Sequence, residues 1–131
     1  MSDEMAIRQL ITRWLDAMVA CDIYGVLAHH DPDIVLFDVP PPHTGVRGLD
    51  AYRDTWPPFF DFLRSGAIFE LLELDVTAGA DVAFAYGLLR CATQESLTSD
   101  PDARLRLTVG LRHRDGDWYV THEHHSFCMT E

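Results

Sequence analysis

Asp115-Gly116-Asp117-Trp118-Tyr119-Val120-Thr121-His122-Glu123-His124-His125-Ser126 lies near the end of the chain, a turn followed by a β-rich run. Arg114-Asp115-Gly116-Asp117 carries the Asp-Gly pair of a tight hairpin, and the aromatic and β-branched residues after it predict a strand over 117–127. Side chains alternate along a strand, so Thr121, Glu123 and His125 fall on one face and His122, His124 and Ser126 on the other. One strand thus carries ionisable groups on both faces, and the two sets have different tasks. Before it lie three more β-rich runs, near 67–77, 82–95 and 104–114. Ala78-Gly79-Ala80-Asp81 and a polar loop at 96–103 join them, and the four runs predict hairpins of one antiparallel sheet.

The first half of the sequence is helical in pattern. Ser2 can cap a helix over 3–20, with Asp3 and Glu4 at the positive end of its dipole and Ile7, Leu10, Ile11, Trp14, Leu15 and Met18 at helical spacing. Asp22 caps a second, short helix through Ile23, Val26 and Leu27, which the polar stretch His29-His30-Asp31-Pro32-Asp33 ends as a loop. The doublet His29-His30 reads as a helix-end pair facing the negative end of the dipole. Ile34 to Val39 predicts a strand stopped by Pro40-Pro41-Pro42, because proline has no N–H to give a ladder. Leu49 to Trp56 predicts a third helical segment, kinked or restarted by Pro57-Pro58 before Phe59, Phe60, Phe62 and Leu63. Helices come first and the sheet last, an α+β arrangement.

The 131 residues are the size of one typical domain, and 47% of them are apolar. A single domain over residues 1–131 is expected. The formal net charge of −11 repels phosphate backbones and anionic lipid heads, so no nucleic acid and no membrane partner is expected. There is no apolar run of eighteen residues, and the acidic N-terminus is unlike a signal peptide, which points to a cytoplasmic protein. Cys21, Cys91 and Cys128 are odd in number and lack CxxC spacing, so they predict neither a disulfide framework nor a zinc ribbon.

That order of elements, together with Asp31-Pro32-Asp33-Ile34-Val35-Leu36-Phe37-Asp38 and the closing D-G-x-W-x-x-x-H-x-H-x-S, resembles the NTF2-like superfamily over nearly the whole chain. The ending is similar to SnoaL-like and ketosteroid-isomerase-like proteins, and also to the association domain of calcium/calmodulin-dependent protein kinases. The resemblance implies an NTF2-like (cystatin-like) cone, with N-terminal helices packed on a curved antiparallel sheet in the order ααβαββββ. It further implies a pocket for a small apolar ligand and a homodimer formed through the outer face of the sheet.

In the resemblance, Asp38 falls where ketosteroid isomerases keep the carboxylate that moves a proton between carbons. A carboxylate at the rim of an apolar pocket resists ionisation, which suits it to take a proton α to a carbonyl. The competing reading is an aspartate that only caps the Pro40-Pro41-Pro42 turn. The family's tyrosine donor falls at Trp14 and its protonated aspartate near Val109, so neither donor is present and steroid isomerisation is not expected. Trp14 retains an indole N–H, although its spacing with Leu10 and Leu15 equally fits a core position.

The resemblance places the Thr121, Glu123 and His125 face toward the pocket, with His125 where some kinase association domains carry an arginine. Asp38, Glu123 and His125 are therefore the candidate catalytic residues. Glu123 could instead form a structural ion pair with Arg90, Arg106 or Arg112. Trp14, Trp56, Phe60, Leu88, Val109 and Thr121 are the candidate ligand-binding residues. His122 and His124 have an H-x-H spacing, but no third ligand must share their face, so no metal and no cofactor is expected. Trp118 is expected to pack in the outer layer. Two classes of function remain: a cofactor-independent isomerase, cyclase or dehydratase acting on an apolar carbonyl or polycyclic compound, and a non-catalytic ligand-binding or oligomerisation domain.

Overall fold

The structure, a computed structural model, describes residues 1–129. Helix α1 (Asp3–Val19) begins at Ser2, whose hydroxyl accepts from the Met5 N–H at 3.2 Å. Its buried stripe of Ile7, Leu10, Ile11, Trp14, Leu15 and Met18 follows the spacing read from the sequence. A short α2 (Ile23–Leu27) leads to β1 (His30–Phe37) and β2 (Val46–Arg47). The third segment comes in two pieces, α3 (Leu49–Asp54) and α4 (Trp56–Arg64), because the prolines after Trp56 fit the first turn of a new helix. The rest is β3 (Ile68–Ala78), β4 (Val82–Ala92), α5 (Gln94–Ser99), β5 (Leu105–Arg114) and β6 (Asp117–Phe127).

The strands form one curved, unclosed sheet in the order β2-β1-β6-β5-β4-β3. β3 to β6 pair antiparallel, as the hairpins predict, whereas β1 runs parallel to β6. Helix α1 packs against β3, α2 and α4. The core between helices and sheet holds Ile11, Trp14, Tyr52, Leu89, Val109 and Val120. Among the described residues, no helix is long and apolar enough to cross a membrane.

Three expectations are corrected. The stretch 29–33 is not a loop: β1 begins at His30, and Pro32 is accommodated because the ladder with β6 breaks between His30 and Val35. In that break Asp31 Oδ1 accepts from the Asp33 N–H at 2.8 Å. The segment 96–103 is also not all loop, because Thr93 caps α5 by accepting from the Ser96 N–H at 3.1 Å.

The third correction concerns Trp118. It is 4% exposed, belongs to the core, and donates its indole N–H to Asp3 Oδ1 at 3.1 Å. Strict alternation from Glu123 would send it outward. The register with β5 shows why it does not: Gly110 opposes His122 while Leu111 opposes Val120, so Thr121 is an extra residue in β6. This bulge changes the phase of the strand, turning Trp118 and Val120 inward below it while Glu123 and His125 face inward above it.

Candidate active site

The inner face of the sheet, α1, α4 and the α5 region enclose a cavity of about 930 Å³. Its wall is mostly apolar, with Trp14, Trp56, Phe59, Phe62, Phe69 and Leu89 on it. Trp14 and Trp56 meet edge to face with centroids 6.2 Å apart, and Phe59 packs in the same way on Trp56 at 5.6 Å. Among the described residues, Asp38 and His125 bring the wall its directly paired ionisable groups.

Asp38 lies just beyond β1, where the chain turns into the proline run. Its Oδ1 accepts from the Val39 N–H at 2.8 Å and from His125 Nδ1 at 3.3 Å. Among the described residues no hydrogen bond engages Oδ2. The other ring nitrogen of His125 lies 3.2 Å from Glu123 Oε2, a close contact rather than an aligned hydrogen bond. His125 is thus held between two carboxylates and still reaches the cavity, with its side chain 13% exposed.

Glu123 is completely buried behind His125. Its Oε1 accepts from the Tyr52 hydroxyl at 2.7 Å and from His30 Nε2 at 3.0 Å. His30 Nδ1 in turn donates to the Ala28 carbonyl at 2.8 Å. Both nitrogens of His30 thus face acceptors, a backbone carbonyl on one side and the Glu123 carboxylate on the other.

These contacts decide the charge states. Burial alone would push Glu123 up, but His125, His30 and their positive charges outweigh it and hold the carboxyl down at about 2. Burial alone would push His125 down, but Asp38 and Glu123 outweigh it and raise the imidazole to about 9. At neutral pH the cavity therefore presents an imidazolium beside a carboxylate with one free oxygen. Burial, then the charge of Glu123 and the bond to it, raise the Tyr52 phenol well above its ordinary value, so it stays a donor. Burial also pushes the Cys91 thiol up to about 11, which makes it a neutral wall residue and not a nucleophile.

Of the residues singled out in the sequence, Asp38, His125, Trp14, Trp56 and Leu88 line the cavity. Glu123 does not; it supports His125 from behind, and its ion-pair partners are imidazoles rather than Arg90, Arg106 or Arg112. Phe60, Val109 and Thr121 do not line it either. Phe60 is buried beside Trp56, Val109 is completely buried opposite Glu123, and Thr121 is spent on the bulge, bonding the Gly110 carbonyl at 3.3 Å.

His30 and Tyr52 are the residues the sequence reading missed. His30 was assigned to a helix end because Pro32 masks the start of β1. Tyr52 had a usable signal, since it stands at helical spacing between Leu49 and Trp56 and so shares their inward face. On the outer face His122 donates to the Val35 carbonyl at 2.6 Å, and both His122 and His124 pack edge-on against Phe37. Among the described residues, no group of three His, Cys, Asp or Glu side chains is placed to hold a metal ion.

Residues 7–130 match the family model of the SnoaL-like domain. The chain belongs to this family. An NTF2-like protein of unknown function from Pseudomonas putida KT2440 is 36% identical, with 94% of this chain and 84% of that one aligned at a TM-score of 0.79. An uncharacterised protein with a cystatin-like fold from Caulobacter vibrioides is 20% identical over 98% and 92% of the two chains, TM-score 0.77. A ketosteroid isomerase-like protein from Erwinia carotovora atroseptica is 21% identical over 98% of each, TM-score 0.68. The last two likenesses show the NTF2-like, cystatin-like fold alone. No curated protein matches this SnoaL-like chain at a significant level.

Proposed function

We propose that this SnoaL-like protein moves a proton on a small, largely apolar carbonyl or polycyclic compound held in the cavity, as an isomerase, cyclase or dehydratase does. The observation that carries this reading is the directly paired Asp38 and His125 on a mostly apolar wall rich in aromatic rings. Asp38 Oδ2, free of hydrogen bonds, takes the proton from a carbon next to a carbonyl. The His125 Nδ1–H is only loosely bound to Asp38 at 3.3 Å, so it turns to the carbonyl oxygen and stabilises the charge that develops there. Its second nitrogen remains on Glu123, which keeps the ring charged. The volume suits a drug-sized or polycyclic ligand, since such sites run to about 1,000 Å³. The chemistry needs no cofactor.

One observation favours a binding role instead: Asp38 Oδ1 is already engaged by the Val39 N–H and by His125, as a side chain that only holds the rim would be. Exchange of α-protons separates the two readings. A panel of bicyclic ketones such as 2-tetralone is incubated with the protein in D2O, and deuterium uptake is followed by NMR. Enzyme-dependent uptake that disappears in Asp38→Asn supports proton transfer, whereas uptake that survives in the variant removes Asp38 as the base. Saturable binding of a ketone without any exchange identifies a binding domain. The outer face of the sheet, where Phe84 and Tyr86 are 49% and 46% exposed and Phe37 lies beside His122, is the surface proposed for a homodimer.

A further inference from the structure

We propose that His30 and Tyr52 are positioning residues for His125: by occupying Oε1 of Glu123 from the core side, they leave only Oε2 for His125 and so set how readily that imidazole gives its proton to a ligand. The inference rests on the assignment of His125 as the imidazolium of the site, and it extends the machinery two residues into the core.

The geometry makes the coupling direct. His30 and Tyr52 approach one oxygen of a completely buried carboxylate at 3.0 and 2.7 Å, and His125 approaches the other at 3.2 Å. A carboxylate shares its charge between its oxygens, so donors on Oε1 draw charge away from Oε2 and weaken its hold on the proton of His125. A bare Glu123 would hold that proton more tightly and make His125 a poorer acid. The Tyr52 hydroxyl gives its proton to Glu123 Oε1, and its ring packs edge-on against Trp56 with centroids 5.7 Å apart.

The groups that face His125 limit the alternatives. Asp38 approaches from the end of β1 and Glu123 from β6, with His30 and Tyr52 behind Glu123. Cys91 of β4 stands neutral on the same wall. At the rim, Asp100, Asp102, Arg104 and Arg106 line the cavity beyond this cluster, and among the described residues none of them is ion-paired to it. Helices α1 and α4 bring apolar side chains, Trp14, Leu15, Met18, Trp56, Phe59 and Phe62, to the same cavity.

Substitution of His30 or Tyr52 then has a sign that a purely structural role does not share. If these residues only held the fold together, removing them would loosen the site and let His125 fall back toward its ordinary 6.5. If they draw charge from Glu123, removing them raises the midpoint of His125 further.

The test is NMR titration of the His125 ring protons in 13C-histidine-labelled protein, assigned with His125→Asn, in wild type, Tyr52→Phe and His30→Gln. Tyr52→Phe keeps the ring and removes only the hydroxyl, so it remains informative where His30→Gln fails to fold. The midpoint of His125 is expected to rise by about half a unit to one unit in Tyr52→Phe, the scale of one lost hydrogen bond, and to rise in His30→Gln as well. An unchanged or falling midpoint in Tyr52→Phe overturns the proposal. The wild-type titration separately checks the underlying assignment: an ordinary midpoint near 6.5 would show that His125 is not the imidazolium of the site, whatever the variants do.

Discussion

Replacing Glu123 with glutamine keeps the shape of the side chain and removes a charge that holds the proton of His125. The raised affinity of His125 for its proton, from 6.5 to about 9, sets the scale. At about 1.4 kcal/mol per unit the rise is worth about 3 kcal/mol of folded-state stability. The lowering of Glu123 from 4.5 to about 2 describes the same cluster from its other side, so the two figures do not add. His125 is raised in the folded state, so its contribution is fully present below pH 6.5 and is lost as pH rises through 9. Urea unfolding of wild type and Glu123→Gln at pH 6.5 should therefore differ through this effect by at most about 3 kcal/mol, since Asp38 shares in raising His125 and remains in the variant. Repeated near pH 10, the difference should shrink by at least half. A difference that stays constant between the two pH values would show that Glu123 stabilises the fold by packing and neutral hydrogen bonds, and the charge assignment would be wrong.

At the acid end, the folded protein should lose stability as pH falls from 4.5 toward 2, because the depressed Glu123 carboxyl contributes only while ionised; thermal melts across that interval read the loss. Gly87→Ala should cost about 2 kcal/mol or more in urea unfolding, since a Cβ there would stand 2.6 Å from the Glu73 carbonyl oxygen, whereas Gly110→Ala meets its nearest atom at 3.5 Å and should cost less than about 1 kcal/mol. Trp118→Phe removes the bond to Asp3 Oδ1 and should lower stability by about 1 kcal/mol, a loss that pairing it with Asp3→Ala should not deepen. Phe84→Glu on the outer sheet face should shift a dimer toward monomer in sedimentation velocity, and an unchanged sedimentation coefficient would locate any self-association elsewhere.

Much of the architecture was legible because the hydrophobic pattern switches period at the right places. The stripe from Ile7 to Met18 defined α1, and the Asp115-Gly116 turn fixed the last hairpin. What escaped was governed by contacts remote in sequence. Pro32 argues locally for a loop, and only the parallel pairing of β1 with β6 allows a strand with an unpaired stretch around it. His30 therefore looked like a helix-end residue, although its partners Glu123 and Tyr52 stand 93 and 22 positions away in the chain. Asp38 and His125 were legible as a pair from parity and resemblance, but their charge states were not, because those depend on what lies behind Glu123. Phe60 and Val109 show the complementary error: inward-facing apolar residues were assigned to the cavity, whereas depth in the core decides which of them reach it.

The extra residue at Thr121 gives the last strand two independent halves. Below it, Trp118 and Val120 seal the floor against α1; above it, Glu123 and His125 serve the cavity. Deleting that one residue would close the bulge: His122 would follow Val120 directly, plain alternation would resume, and Glu123 and His125 would still face inward. The strand is written as two alternating patterns one residue out of phase, and the single unpaired residue between them is what lets one continuous strand serve both the floor and the cavity.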